Sequence, residues 1–287
     1  VAEAIPAGDG PLVLIAGAGR LPELVAESLV KAGRPFRMIA LRGFTARPLR
    51  AKADATVDLL DLAATLSHLE KWGPATVVPA GSVARPSAAA IFNAGAAWRN
   101  REALRDIAGG GDDRLLRAAV GLVEENGHRV LGVHEVAPDL LCPEGPLGTV
   151  KADAEALASI RSGQAVLAAL SPFDVGQAVA AAGDRVLAVE GPEGTDKMLA
   201  RARALGRKPF GRGRPNAGTV LVKAPKAGQD LRIDLPAVGP RTIRNAHAAG
   251  CAGLALKAGG TLIIDRVATA AEADRLGLFV IGFGELP

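Results

Sequence analysis

Apolar residues along this chain follow two spacings. Runs of five or six, LVLIA at 12–16, FRMIAL at 36–41 and ATVVPA at 75–80, have the length of buried strands. Between them, LPELVAESLVKAG (21–33) and DLAATLSHLEKW (61–72) space their apolar residues like amphipathic helices, the first closed by Gly33. A helix is predicted from about 112 to 126, and a strand at 129–134 (RVLGVH).

The alternation of strand and helix predicts a parallel, Rossmann-like α/β sheet for the first half. VAPDLLCPEGPLGTV then clusters proline and glycine, as a hinge would. Beyond it, ADAEALASIRSGQAVLAAL and PFDVGQAVAAAG read as an Ala-rich helical region. DRVLAVE, TVLVKA, GLALKA, TLIID and LFVIGF read as strands, GLALKA and TLIID as adjacent ones, with helices from about 195 and near 241–249. The expected architecture is therefore α/β in two domains: 1–135 Rossmann-like, 136–150 hinge and 151–287 mixed α/β, with the site between them.

Composition narrows the partners. The chain has 287 residues, 49% hydrophobic, enough for a full core in each domain. A net charge of +4 favours anions, but with no Tyr, two Trp and seven Phe the basic residues lack the stacking partners of a nucleic-acid binder. Two distant cysteines support neither a disulfide framework nor a zinc site, and Cys251 in AAGCAG reads as a small core residue. The first residues show no basic, then long apolar leader, so a cytoplasmic protein is expected.

Candidate chemistry gathers where predicted strands end. GAGRLP (17–22) offers Gly17 and Gly19 in a turn before a helix N-terminus, suited to phosphate, although the third glycine of the dinucleotide fingerprint and its ribose-binding acid are missing. GSVARP (81–86) places Gly81 and Arg85 after the third run, where Arg85 is either a solvated charge or a phosphate ligand. GGGDDRLLR offers Asp112 or Asp113 as a helix cap and leaves the other, beside three glycines, for a metal or a sugar hydroxyl. In LAVEGPEGTDKMLAR, Thr195 reads as the helix N-cap and Asp196 as its dipole partner. Glu190 and Glu193 have no such structural account, and carboxylates at a strand end suit Mg²⁺.

The run LVKAPKAGQDLRIDLPAVG adds more charge. If 230–234 is extended, Asp230, Arg232 and Asp234 share one face, either as a surface ladder or as a site in which an aspartate holds a cation and Lys223 and Lys226 meet phosphate. No G-x-S-x-G elbow is present and the four histidines are scattered, which disfavours covalent catalysis.

GAGRLP, GSVARPS, GGGDDRLLR, VLAVEGPEGTDKMLAR and VLVKAPKAGQDLRIDLPAVGPRTI, in that order, resemble the UDP-2,3-diacylglucosamine pyrophosphatases of the LpxI type. Ala227 stands where that family is expected to prefer Pro. The resemblance implies hydrolysis of a nucleotide-linked glycolipid to lipid X and UMP, in lipid A biosynthesis of Gram-negative bacteria. It implies water attack on the sugar-side phosphorus and a need for Mg²⁺ or a similar divalent cation. Carried over by motif, Asp230 is the catalytic and metal-holding carboxylate, with Asp234, Glu193 and Asp196 as further metal candidates. Gly17, Gly19, Gly81, Arg85, Thr195, Lys223 and Gln229 are the substrate-binding candidates. A lipid substrate also implies peripheral contact with the inner membrane, and a homodimer is the base-rate expectation for a soluble enzyme. A nicotinamide oxidoreductase and a non-catalytic lipid carrier are the alternatives.

Overall fold

The structure is a computed structural model that describes residues 10–83, 112–173, 175–205 and 218–284. It divides into two compact units, the first comprising residues 1–139 with 232–234, the second comprising 140–231 with 235–287.

In the first unit, β1 (Leu12–Ala16), α1 (Leu21–Lys31), β2 (Phe36–Leu41), α2 (Arg47–Arg50), β3 (Ala55–Val57), α3 (Leu62–Trp72), β4 (Thr76–Ala80), α4 (Asp112–Glu125), β5 (Arg129–Val130) and α5 (Val133–Val136) follow one another. The strands form one sheet in the order β3-β2-β1-β4-β5, every pair parallel. β1 is the centre, so its apolar run is covered on both faces, as expected of parallel strands. Val13, Ile39, Leu69, Val77 and Val130 form part of one buried cluster, against which Ile233 also packs. The strand predicted over 129–134 stops at Val130. Glu135 Oε2 accepts the Gly132 N–H at 2.7 Å, which starts a short helix there and places His134 in it.

The second unit contains β6 (Gly145–Pro146), α6 (Ala154–Leu170), β7 (Ala178–Ala182), β8 (Arg185–Val189), α7 (Thr195–Leu205), β9 (Val220–Lys223), β10 (Ala237–Val238), α8 (Pro240–Ala248), β11 (Gly253–Lys257), β12 (Leu262–Ile263), α9 (Arg266–Leu276) and β13 (Phe279–Phe283). Six strands form a mixed sheet in the order β6-β13-β11-β9-β7-β8, while β10 and β12 pair separately. GLALKA and TLIID thus belong to different sheets, because the chain turns away after Lys257 and Leu262 pairs beside Ala237. AVAAA is a fully paired strand rather than helix: Ala178–Ala181 are wholly buried between β8 and β9.

Alternation along β9 divides the core of this unit. Val220 and Val222 join Ile160 and Phe279, whereas Leu221 joins Met198, Leu199, Ile243 and Leu254. α6 lies directly on the sheet. A Cβ at Gly163 would stand 2.4 Å from a Val222 methyl, so only glycine allows that approach. Among the described residues, no helix is long and apolar enough to cross a membrane.

α8 and α9 are tied by charge. Glu272 accepts two hydrogen bonds from Arg275 and one from Arg244, and these, Arg275 foremost, hold its carboxyl at about 2. A depressed folded value means that the contribution is present above the unfolded carboxyl value of about 4.3 and is lost as pH falls through the folded one. Titration of the Glu272 carboxyl carbon by NMR should therefore give a midpoint near 2; a midpoint near the unfolded value would reject the tie.

Candidate active site

The glycine turns of the first unit meet each other. β1 and β4 are the pair at which strand order reverses, the position where open α/β sheets bind ligands beyond the strands' C-terminal ends. There the Gly17 N–H donates to Ala80 O and the Ala18 N–H to Ser82 O, each at 2.8 Å, while the Ser82 N–H returns to Ala18 O at 3.0 Å. A Cβ on Gly17 would lie 2.8 Å from Ser82 O, and one on Gly81 would lie 2.6 Å from Ala18 O. The residue type is thus required by backbone contact. It also means that the Gly17 and Ala18 N–H groups are already engaged, which removes two donors from a dinucleotide-type cradle. Gly19 is left-handed at φ 89° with nothing within 4 Å of its would-be Cβ. Arg85, the Gly109–Gly111 run and the side chains of Asp112 and Asp113 lie outside the described residues.

In the second unit, polar groups collect at one edge of the sheet. β7 is antiparallel to both β8 and β9, so β8 and β9 run the same way and their C-terminal ends share that edge. Glu190 follows β8, and Lys223 ends β9 on the face that alternation gives to Leu221. Both are buried. The Lys223 Nζ donates to Thr195 Oγ1 at 2.8 Å, Thr195 Oγ1 donates to Glu190 Oε1 at 2.7 Å, and Glu190 Oε2 accepts the Gln177 N–H at 3.0 Å.

This arrangement changes the reading of Thr195. The Met198 N–H bonds to Gly194 O and the helix begins at Thr195, so Gly194 is the cap. The threonine hydroxyl is turned toward Glu190 instead. Glu190 was visible from sequence only as a carboxylate without a structural account. Its partnership with Thr195 and Lys223 required the sheet.

The remaining carboxylates have partners of their own. Glu193 pairs with Arg201 at 2.6 Å; its carboxyl is lowered first by its own backbone N–H and then by Arg201. Asp196 pairs with Arg241 at 3.0 Å and accepts from Asn245 at 2.9 Å. Asp230 is half-buried and Asp234 exposed. Residues 231–233 form a turn, so the extended Asp–Arg–Asp ladder does not exist. The chain bends there because Ile233 joins the apolar cluster of the first unit and Arg232 pairs with Glu124 at 2.7 Å.

Gln229 shapes the loop that carries Asp230. Its Oε1 accepts the Lys226 N–H at 3.0 Å and its own N–H donates to Lys226 O at 3.3 Å. The Ala227 N–H donates to the Ser171 hydroxyl, and the Ala224 N–H to Gln177 O. Gln229 thus closes a turn immediately before Asp230.

Among the described residues, no three His, Cys, Asp or Glu side chains converge as a metal cage, so Asp230, Asp234, Glu193 and Asp196 are not gathered into one. Mg²⁺ commonly takes one or two carboxylates and completes its shell with water and substrate phosphate. Asp230 together with a pyrophosphate is a donor set of that kind; an all-protein cage is not.

Both thiols are buried, and burial pushes Cys142 up to about 11 and Cys251 up to about 12. Neither is expected to react with a disulfide reagent until the chain is denatured, and a rapidly modified thiol in the native protein would contradict this.

These features define a two-domain α/β protein with glycine turns at a strand-order reversal in one unit and, in the other, a buried Lys223 and Glu190 linked through the half-buried Thr195 hydroxyl at a sheet edge. The family models described as "LpxI N-terminal domain" and "LpxI C-terminal domain" match residues 11–140 and 143–281. The chain is also 38% identical over 271 residues, 94% of its own length and 96% of the relative's, to the UDP-2,3-diacylglucosamine pyrophosphatase LpxI of Caulobacter vibrioides. The chain belongs to the LpxI family.

Proposed function

We propose that this protein hydrolyses the pyrophosphate of UDP-2,3-diacylglucosamine to lipid X and UMP, a step of lipid A biosynthesis. The observation that carries this reading is the end-to-end relationship to the Caulobacter pyrophosphatase, which covers both units. Water attacks the phosphorus bonded to the sugar, the bond from that phosphorus to the bridging oxygen breaks, and UMP departs with the bridging oxygen.

Each group then has a task set by its chemistry. The Lys223 ammonium, buried and held by Thr195, offers positive charge to phosphoryl oxygens, which in a water-poor setting counts for more than at the surface. Asp230 orients the attacking water and takes up its proton. Gln229 fixes the turn that presents Asp230. The glycine turns of the Rossmann-like first unit serve the uridine and pyrophosphate side, with Arg85 as a further phosphate ligand. A bound Mg²⁺, held by Asp230 and the pyrophosphate, would supply charge neutralisation and a more acidic water. The work takes place in the cytoplasm, with peripheral contact at the inner membrane delivering the lipid, in a homodimer.

Incubation with UDP-2,3-diacylglucosamine and Mg²⁺ is expected to release UMP, and release should stop on chelation. In ¹⁸O-labelled water the label should enter lipid X. Absence of UMP under every condition would overturn the reading, and label in UMP would overturn the point of attack.

A further inference from the structure

We propose that Glu190 is a positioning residue for phosphate recognition, acting on Lys223 through the Thr195 hydroxyl; this rests on the pyrophosphatase reading of the same site. Lys223 and Glu190 are only 7% and 8% exposed, and charges so far from water are tolerated when paired and hydrogen-bonded. Here the pairing includes an indirect path. A hydroxyl has one proton, and Thr195 gives it to Glu190 at 2.7 Å, which turns its lone pairs toward the Lys223 ammonium at 2.8 Å. The carboxylate therefore dictates which way the hydroxyl points.

Glu190 is itself clamped. Its second oxygen accepts the Gln177 N–H, and its backbone N–H continues the ladder to Ala178 O at 2.9 Å. Gly176 lies flat against it, since a Cβ there would stand 2.2 Å from Glu190 O and 2.6 Å from its Cβ. Lys223 ends a strand beside the first turn of α7, where the helix dipole also favours an anion. The position of the ammonium is thereby passed from the sheet to the place where a phosphoryl group would be met.

A purely structural pair would affect stability and leave ligand affinity alone. The test is binding of UDP to the full chain by calorimetry, for wild type, Glu190→Gln, Thr195→Ser, Thr195→Val and the Glu190→Gln/Thr195→Val double variant. Thermal melts identify folded proteins, and UMP release by wild type is followed in parallel. Glu190→Gln and Thr195→Val should each weaken UDP binding about tenfold, and Thr195→Ser less than about twofold. Because the carboxylate acts through the hydroxyl, the double variant should bind within about twofold of Thr195→Val alone. Losses that multiply in the double variant, wild-type affinity in Glu190→Gln, or a wild type that binds no UDP would overturn the proposal. If Glu190→Gln does not fold, Thr195→Val binding as well as Thr195→Ser overturns it and the expected tenfold gap between them supports it. Coupled UDP binding without UMP release would strike the pyrophosphatase reading alone, and UMP release with multiplying losses would strike the Glu190 proposal alone.

Discussion

Asp230→Ala is expected to lower UMP release by about three orders of magnitude, roughly 4 kcal/mol of transition-state stabilisation, with the melting temperature changed by no more than about two degrees. The size follows from the assigned role. Phosphoanhydride hydrolysis depends on charge neutralisation and an oriented water, and loss of the group that holds them is felt in the transition state more than in substrate binding. kcat should therefore fall while KM moves little. The fold should tolerate the change because Asp230 is half-buried in a loop whose turn is closed by the hydrogen bonds between Gln229 and Lys226. Asp234→Ala is the internal comparison: Asp234 is exposed, and its variant should stay within about threefold of wild type, as surface changes usually do. Equal losses from both aspartates, or near-normal turnover by Asp230→Ala, would remove the distinction between them.

Gly81→Ala is expected to destabilise the protein by about 3 kcal/mol, an amount that lowers the melting temperature of a chain this long by roughly 5 °C. Two costs add. The residue is left-handed at φ 94°, and its Cβ would lie 2.6 Å from Ala18 O and 2.8 Å from Pro22 Cγ. Relief requires moving the paired turns at the ends of β1 and β4, whose mutual hydrogen bonds would then be strained. Gly19→Ala separates the two costs, since Gly19 is also left-handed but has nothing within 4 Å of its would-be Cβ. That variant should cost only about 1 kcal/mol. Equal melting temperatures for the two variants would show that the close approach contributes nothing.

Most of the first sheet was legible because β1, β2 and β4 are short apolar runs separated by amphipathic helices, a pattern that periodicity reports directly, whereas the three-residue β3 and the four-residue α2 are too short to show a period. AVAAA was not legible. Alanine favours helix in isolation, but Ala178–Ala181 insert between β8 and β9, where hydrogen bonds to both neighbours and complete burial outweigh a propensity of tenths of a kcal/mol per residue. Residues 230–234 misled for a related reason. Alternating charge and apolar side chains suit an exposed strand, yet Ile233 is drawn into the apolar cluster of the first unit and the chain turns to deliver it. A side chain's destination in another part of the fold is not written in its local spacing.

By itself, the sequence determined the alternation of the longer strands and helices in the first half, the glycine turns that follow β1 and β4, and a motif order specific enough to mark the family. Each is a local property, set by side-chain periodicity, by the conformational reach of glycine or by residue spacing. The tertiary structure decided which polar groups meet. Lys223 reaches Thr195 across 28 residues of chain because an antiparallel β7 lies between β8 and β9 and brings their C-terminal ends to one edge. Once that edge is buried, Lys223 and Glu190 need polar partners, and the Thr195 hydroxyl joins them.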